Sequence, residues 1–196
     1  MRNTVQRTKQ NLTAETIVMT KWIGLKGSAL IARKREKDLL TYFSPCFVDR
    51  VKEFDRLTAP GPEEEIFKEM GIDCLRETGD GGVYGALWDM AEERSVGIDV
   101  SLKDIPVKQE TIEIANFLDF DPYLLLSFGS FLIFTDRGYE LVRRLKESGI
   151  PAAIIGVTTD SNDRVVTNNG NTRFLSPRYR DEINKVLSKE QVLENG

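Results

Sequence analysis

Phe128-Gly129-Ser130-Phe131-Leu132-Ile133-Phe134 is an apolar run broken only by Gly129 and Ser130. Such a run reads as a strand covered on both faces. Asp136 is a good helix N-cap, and Tyr139, Val142 and Leu145 follow at helical spacing until Gly149 and Pro151 stop the helix. Ala152-Ala153-Ile154-Ile155-Gly156-Val157 is a second continuous apolar strand. Strand, helix, strand within about 30 residues is a βαβ crossover, which predicts a parallel strand pair.

Reading outward, Arg164-Val165-Val166 and Thr172-Arg173-Phe174 flank Asn168-Asn169-Gly170, the pattern of a hairpin with a Gly-containing turn. A polar helix from about Tyr179 closes the chain. Toward the N-terminus, Gly97 to Leu102 alternates as a half-buried strand, and Gln109 to Leu118 is helical by its Ile112, Ala115 and Leu118 spacing. Val83, Leu87, Met90 and Ala91 share one face of an amphipathic helix. Ile72-Asp73-Cys74-Leu75 reads as a short strand and Glu63 to Met70 as an acidic helix begun by prolines. Phe47 to Leu57 is a helical stretch, and another helix runs from about Ser28. Thr16-Ile17-Val18-Met19-Thr20 is a buried strand, and residues 1–13 form a polar tail or linker stump ahead of a domain over 14–196. No internal repeat is present. The fold class is α/β, with a mixed sheet and helices packed against it.

The 196 residues suit one domain. They include no histidine, which excludes a Ser-His-Asp triad, a Cys-His pair, a His-ligated zinc and an imidazole base. Acid–base work falls to carboxylates, lysine, tyrosine or a partner chain. Cys46 and Cys74 match no zinc spacing and read as two buried thiols in a reducing compartment. No stretch reaches the ~20 apolar residues of a membrane span, and the N-terminus shows no apolar signal core. A soluble cytoplasmic protein without a membrane partner is the expectation. The net charge of −4 hides an asymmetry: residues 1–60 hold 12 Lys+Arg against 6 Asp+Glu. A basic third can meet phosphates or an acidic surface, but no aromatic-plus-basic pattern argues for nucleic acid.

Three stretches are candidates for chemistry. Glu77-Thr78-Gly79-Asp80-Gly81-Gly82 lies between a strand and a helix. Its glycines allow close backbone approach, and the following helix N-terminus favours an anion, typically phosphate. Glu77 and Asp80 suit a Mg²⁺ bridging such phosphates and equally repel a naked anion. A plain strand-to-helix turn with packing glycines fits the spacing as well. Lys21-Trp22-Ile23-Gly24-Leu25-Lys26-Gly27-Ser28 is again a strand end entering a helix, and offers either a phosphate contact or close packing. Ser127-Phe128-Gly129-Ser130 interrupts a core strand, as at a bulge or a close backbone approach. Neither a Walker A loop nor a GxGxxG fingerprint is present.

In this order, with Ile105-Pro106-Val107-Lys108-Gln109-Glu110-Thr111, Asp121-Pro122-Tyr123 and Ile154-Ile155-Gly156, these stretches resemble the C-terminal domain of the AIR synthase-related superfamily. That group holds aminoimidazole ribonucleotide synthetase, the hydrogenase expression/formation protein, selenophosphate synthetase and thiamine-monophosphate kinase. The resemblance covers roughly residues 14–175 and is nearest to the hydrogenase-maturation-like members. It implies a three-layer α/β/α fold with a mixed sheet and partly ferredoxin-like topology. It also implies ATP and Mg, used together with an N-terminal ATP-binding domain or subunit that supplies the metal-binding aspartates, and a homodimer. Carried over, the nucleotide- or substrate-binding positions are Glu77, Asp80, Gly81, Gly82, Gly24, Gly27 and Lys21, with no metal ligand and no catalytic residue assigned in this chain.

Three departures bear on activity. Only a short polar stretch precedes the first family motif, so the chain is expected to be inactive alone. Many members carry a His-Asp pair where this sequence has Arg76 and Glu77; Arg76 brings a fixed charge that cannot shuttle a proton. The chain closes on Gln191-Val192-Leu193-Glu194-Asn195-Gly196 without the terminal cysteine of hydrogenase expression/formation proteins. The resemblance therefore implies the C-terminal half of an ATP-dependent enzyme, with a non-catalytic binding or assembly module as the alternative.

Overall fold

The computed structural model describes residues 14–177 and 180–188. The polar tail read over 1–13 and the helix start read at Tyr179 lie outside them. In chain order the elements are β1 (Thr16–Thr20), α1 (Leu25–Lys34), α2 (Glu36–Leu39), α3 (Pro45–Lys52), α4 (Glu63–Met70), β2 (Leu75–Glu77), α5 (Gly82–Arg94) and β3 (Gly97–Ser101). Then come α6 (Gln109–Leu118), β4 (Phe131–Thr135), α7 (Gly138–Glu147), β5 (Ala152–Thr159), β6 (Arg164–Asn168), β7 (Asn171–Phe174) and α8 (Glu182–Ser188). Short 3-10 turns occupy Glu53–Thr58, Leu102–Asp104 and Pro122–Leu124.

One seven-stranded sheet runs in the order β2-β4-β1-β5-β3-β6-β7. All neighbours are antiparallel except β3 and β6. The β4-α7-β5 unit is the predicted crossover, and β4 and β5 point the same way, but they are not a pair. β1 lies between them, antiparallel to both, with Val18 opposite Ile133 on one side and Ile154 on the other. The physical reason is burial. Ile17, Val18 and Met19 are all fully buried, so β1 needs a partner on each edge and apolar cover on each face. This split arrangement gives the ferredoxin-like character.

Alternation along the strands divides the core. Ile17, Met19, Leu132, Phe134, Ile98 and Val100 face α5, meeting Val83, Tyr84, Leu87 and Met90. Val18 and Ile133 face the other way, onto Ile66, Phe67 and Met70 of α4 and Leu141 and Leu145 of α7. The result is the expected α/β/α layering. A second core, with Leu25, Ala29, Val48, Ile114 and Ile183, binds α1, α3, α6 and α8 together.

Local differences have local causes. β4 starts at Phe131 rather than Phe128, because Gly129 turns through φ +93° and Ser127–Ser130 closes on itself. Arg137, not Asp136, stands at the N-cap of α7; its N–H is taken by the Thr135 hydroxyl at 3.1 Å. β2 begins at Leu75, since the Ile72 N–H closes α4 on Phe67 O. The helical stretch read to Leu57 ends at Lys52 and tightens into the 3-10 turn. Cys46, expected inside, is exposed near the start of α3, and Cys74 is half-buried. In the β6–β7 hairpin, Asn169 (φ 49°) and Gly170 (φ 83°) supply the two left-handed positions its two-residue turn needs.

Candidate functional site

The strand-loop-helix from β2 into α5 is tied to the Ser127–Ser130 turn. Thr78 is fully buried; its N–H donates to Ser130 O at 2.9 Å and its hydroxyl meets Ser130 Oγ at 2.6 Å. Glu77 Oε1 accepts the Gly129 N–H at 2.9 Å. The Glu77 carboxylate is thus partly committed to holding a loop, while Asp80 is exposed. Gly81 (φ 74°) and Gly82 (φ 62°) are both left-handed at the head of α5. A Cβ on Gly82 would fall 2.4 Å from Tyr123 O, so only glycine lets α5 lie this close to the 122–125 backbone.

The second stretch reaches the same place. The Gly24 N–H donates to Ser127 Oγ at 2.7 Å, and Gly27 N–H to Leu126 O at 3.0 Å. A Cβ on Gly27 would sit 2.4 Å from Leu125 Cγ. Gly24, Gly27, Gly82 and Glu77 therefore converge on residues 123–129, bringing all three candidate stretches together. Lys21 is held elsewhere. Its ammonium lies 2.7 Å from Glu63 Oε1 and donates to Ala59 O at 2.8 Å, with little exposure. Arg76 ion-pairs with Glu93 and lies 3.8 Å from Asp89, along α5.

One residue here was not found by sequence reasoning. Asp181, buried just before α8, accepts the Gly81 N–H at 2.9 Å on Oδ2. On Oδ1 it accepts Leu126 N–H at 3.2 Å and Ile183 N–H at 2.8 Å. The only sequence signal was an aspartate in the N-cap position of a polar helix, which points to Ile183 and not to Gly81. Burial pushes its carboxyl above the ordinary 3.8; the three N–H donors work against this, and the charge of Asp80 adds to it. A cleft of about 640 Å³ opens beside it, lined by Asp80, Gly81, Trp88, Asp181 and Asn184 among others.

A second polar cluster lies by the β6–β7 hairpin. Tyr84 stacks on Tyr123 with ring centroids 5.3 Å apart, and the Arg173 guanidinium covers Tyr84 and donates to its hydroxyl. Burial raises the Tyr84 hydroxyl strongly and the Asp121 carboxyl in the same direction. Among the described residues no group of three or more His, Cys, Asp or Glu is disposed to hold a metal ion. Glu77 and Asp80 at the loop do not by themselves make a site for Mg²⁺. No helix among them is long and apolar enough to cross a membrane.

No curated protein sequence matches significantly. Among solved structures, E. coli HypE, a hydrogenase maturation protein, superposes with TM-score 0.68 at 20% identity, over 88% of this chain and 53% of that one. HypE in complex with ATP gives 0.66 at 19%, over 86% and 52%. AaThiL complexed with AMPPCP and TMP gives 0.56 at 16%, over 82% and 49%. At these identities the likeness is one of fold, and the chain spans about half the length of the structures it matches. The family model "AIR synthase related protein, C-terminal domain" matches residues 15–168. Six of the seven strands, the crossover and the three converging loops all begin within that stretch, and the chain belongs to the AIR synthase-related C-terminal domain family.

Proposed function

We propose that this chain acts as the C-terminal half of an ATP-dependent AIR synthase-related enzyme, hydrogenase-maturation-like in character. Its glycine-rich loops face a nucleotide or substrate cleft completed by an N-terminal ATP-binding domain or subunit. The observation that carries the reading is the convergence of Glu77, Gly82, Gly24 and Gly27 on residues 123–129 at the head of a 13-residue helix. Glu77, Asp80, Gly81 and Gly82 line the phosphate-facing side, with Gly24 and Gly27 packed beneath. Lys21 supports the loop over 59–63 rather than touching ligand. ATP and Mg are the expected cofactors, with the metal ligands in the partner half. Support comes from longer structures of the same fold, about half of whose length this chain covers, crystallised with ATP or AMPPCP. A cytoplasmic location and a homodimer belong to the same reading.

The test is reconstitution. The chain alone shows negligible ATP turnover, and adding an N-terminal domain of the family restores it; robust hydrolysis by the pure chain overturns the proposal. A second reading, a binding or assembly module without catalysis, is favoured by one observation. Arg76, Glu77 and Lys21 are all engaged by protein partners rather than held open. Calorimetric titration of the N-terminal domain with Mg-ATP, with and without this chain, separates the two, since only the enzyme reading requires the chain to tighten Mg-ATP binding.

A further inference from the structure

The glycine loop is covered at its most polar point. Asp181 sets one carboxylate against N–H groups from three places: Gly81 at the head of α5, Leu126 after the 3-10 turn, and Ile183 in α8. A carboxylate on main-chain N–H groups at a helix start makes the contacts an anionic ligand would make. Gly81 and Leu126 lie inside the family-matched stretch, which ends at residue 168. Asp181 lies beyond it. The segment leading into α8 is laid across the loop.

The Asp181 contact is not the only one that holds α8 in place. α8 is anchored independently: Ile183 and Val186 are buried in the second core, and Arg35 Nη1 donates to Val186 O at 2.8 Å. Asp181 also borders the cleft of about 640 Å³, which gives its side chain somewhere to move. Its charge is incompletely compensated, because burial and the nearby Asp80 both oppose it.

Resting on the phosphate-facing reading of the loop given above, we propose that Asp181 is a built-in clasp regulating that site. Its carboxylate holds the Gly81 N–H in the ligand-free chain, and an anionic group reaches the loop only when Asp181 releases it.

The test uses the full chain, ¹⁵N-labelled, as wild type, Asp181→Asn and Asp181→Ala, with inorganic pyrophosphate as probe. Two readouts are taken at the Gly81 and Leu126 amides: hydrogen exchange, and chemical shift during the titration. In Asp181→Ala, exchange at both amides should accelerate at least about tenfold, while core amides of β1 keep wild-type rates. The pyrophosphate midpoint should fall by roughly tenfold, with Asp181→Asn between, since one amide oxygen cannot serve both Gly81 and the Leu126/Ile183 pair. If wild type and Asp181→Ala shift at Gly81 with the same midpoint, the clasp is wrong while the loop still binds an anion. If no variant shifts at the loop, the clasp and the phosphate-facing reading both fall. Should Asp181→Ala fail to fold, the same comparisons are made with Asp181→Asn, and an unchanged midpoint there overturns the proposal.

Discussion

The ammonium of Lys21 lies 2.7 Å from Glu63 Oε1, and each side chain is at least nine-tenths buried. Lys21 holds this position in a left-handed backbone conformation (φ 54°), which costs a non-glycine residue about 1–2 kcal/mol. The pair ties the loop over residues 59–63 to the end of β1. Lys21→Met strands the Glu63 carboxylate in the interior and should cost about 3–5 kcal/mol, read as a lowered urea midpoint at unchanged slope. Lys21→Met with Glu63→Leu removes both charges and should recover most of that loss. If the single variant is as stable as wild type but loses Mg-ATP affinity in the reconstituted enzyme, Lys21 belongs to the ligand.

The glycines separate by what they would strike. Gly82→Ala combines a positive φ with a Cβ 2.4 Å from the Tyr123 carbonyl, a main-chain atom that cannot swing aside. We expect a loss of about 3 kcal/mol or more, or no folded protein. Gly27→Ala meets only the Leu125 side chain, with no positive φ, so overpacking of about 1–3 kcal/mol is expected. Gly27→Ala with Leu125→Val should be more stable than Gly27→Ala alone. Thermal melts of the three variants check this; an unaltered Gly82→Ala melt would contradict the packing geometry.

The sequence discloses some parts of the site and not others. Apolar runs and helical spacing reveal elements one at a time, and β1, α5, β5 and the β6–β7 hairpin all stand where periodicity and turn residues put them. Strand order is a different kind of information. Nothing in Thr16–Thr20 says that it lies between two strands more than a hundred residues away, so the crossover reads locally as an adjacent parallel pair. The glycine-rich stretches announce a close approach but not its object, which is Leu125 for Gly27 and Tyr123 O for Gly82. Asp181 was invisible for the same reason. Its local signature is that of a helix cap, and its contact with Gly81 spans 100 positions.

The thiols give a direct check on the α3 start. Cys46 is exposed, whereas burial raises the half-buried Cys74 thiol above its ordinary 9.0. Reaction depends on thiolate and access, so a thiol reagent at neutral pH should modify one equivalent fast and the second at least about tenfold more slowly. Cys46→Ser should abolish the fast phase. Two equivalents in a single phase would mean that Cys46 is not on the surface.

Stability against pH tests the carboxylates whose burial is incompletely offset. The Asp121 carboxyl is held above 3.8, first by burial, with the Tyr123 N–H and Arg173 opposing and the Glu182 charge reinforcing the rise. A carboxyl raised in the folded state favours folding below the unfolded pKa, and that contribution disappears as pH rises through the folded value. The ionised Asp121 therefore costs stability near neutral pH, the reverse of an ion-paired carboxylate. Asp121→Asn keeps an oxygen for the Tyr123 N–H, now 2.9 Å from Oδ1, and removes the charge. Its stability relative to wild type should improve as pH rises from about 3 through the range in which the folded carboxyl ionises, read from urea midpoints at each pH. A variant that instead falls behind wild type as pH rises would show that Arg173, 3.8 Å from Oδ2, dominates over burial.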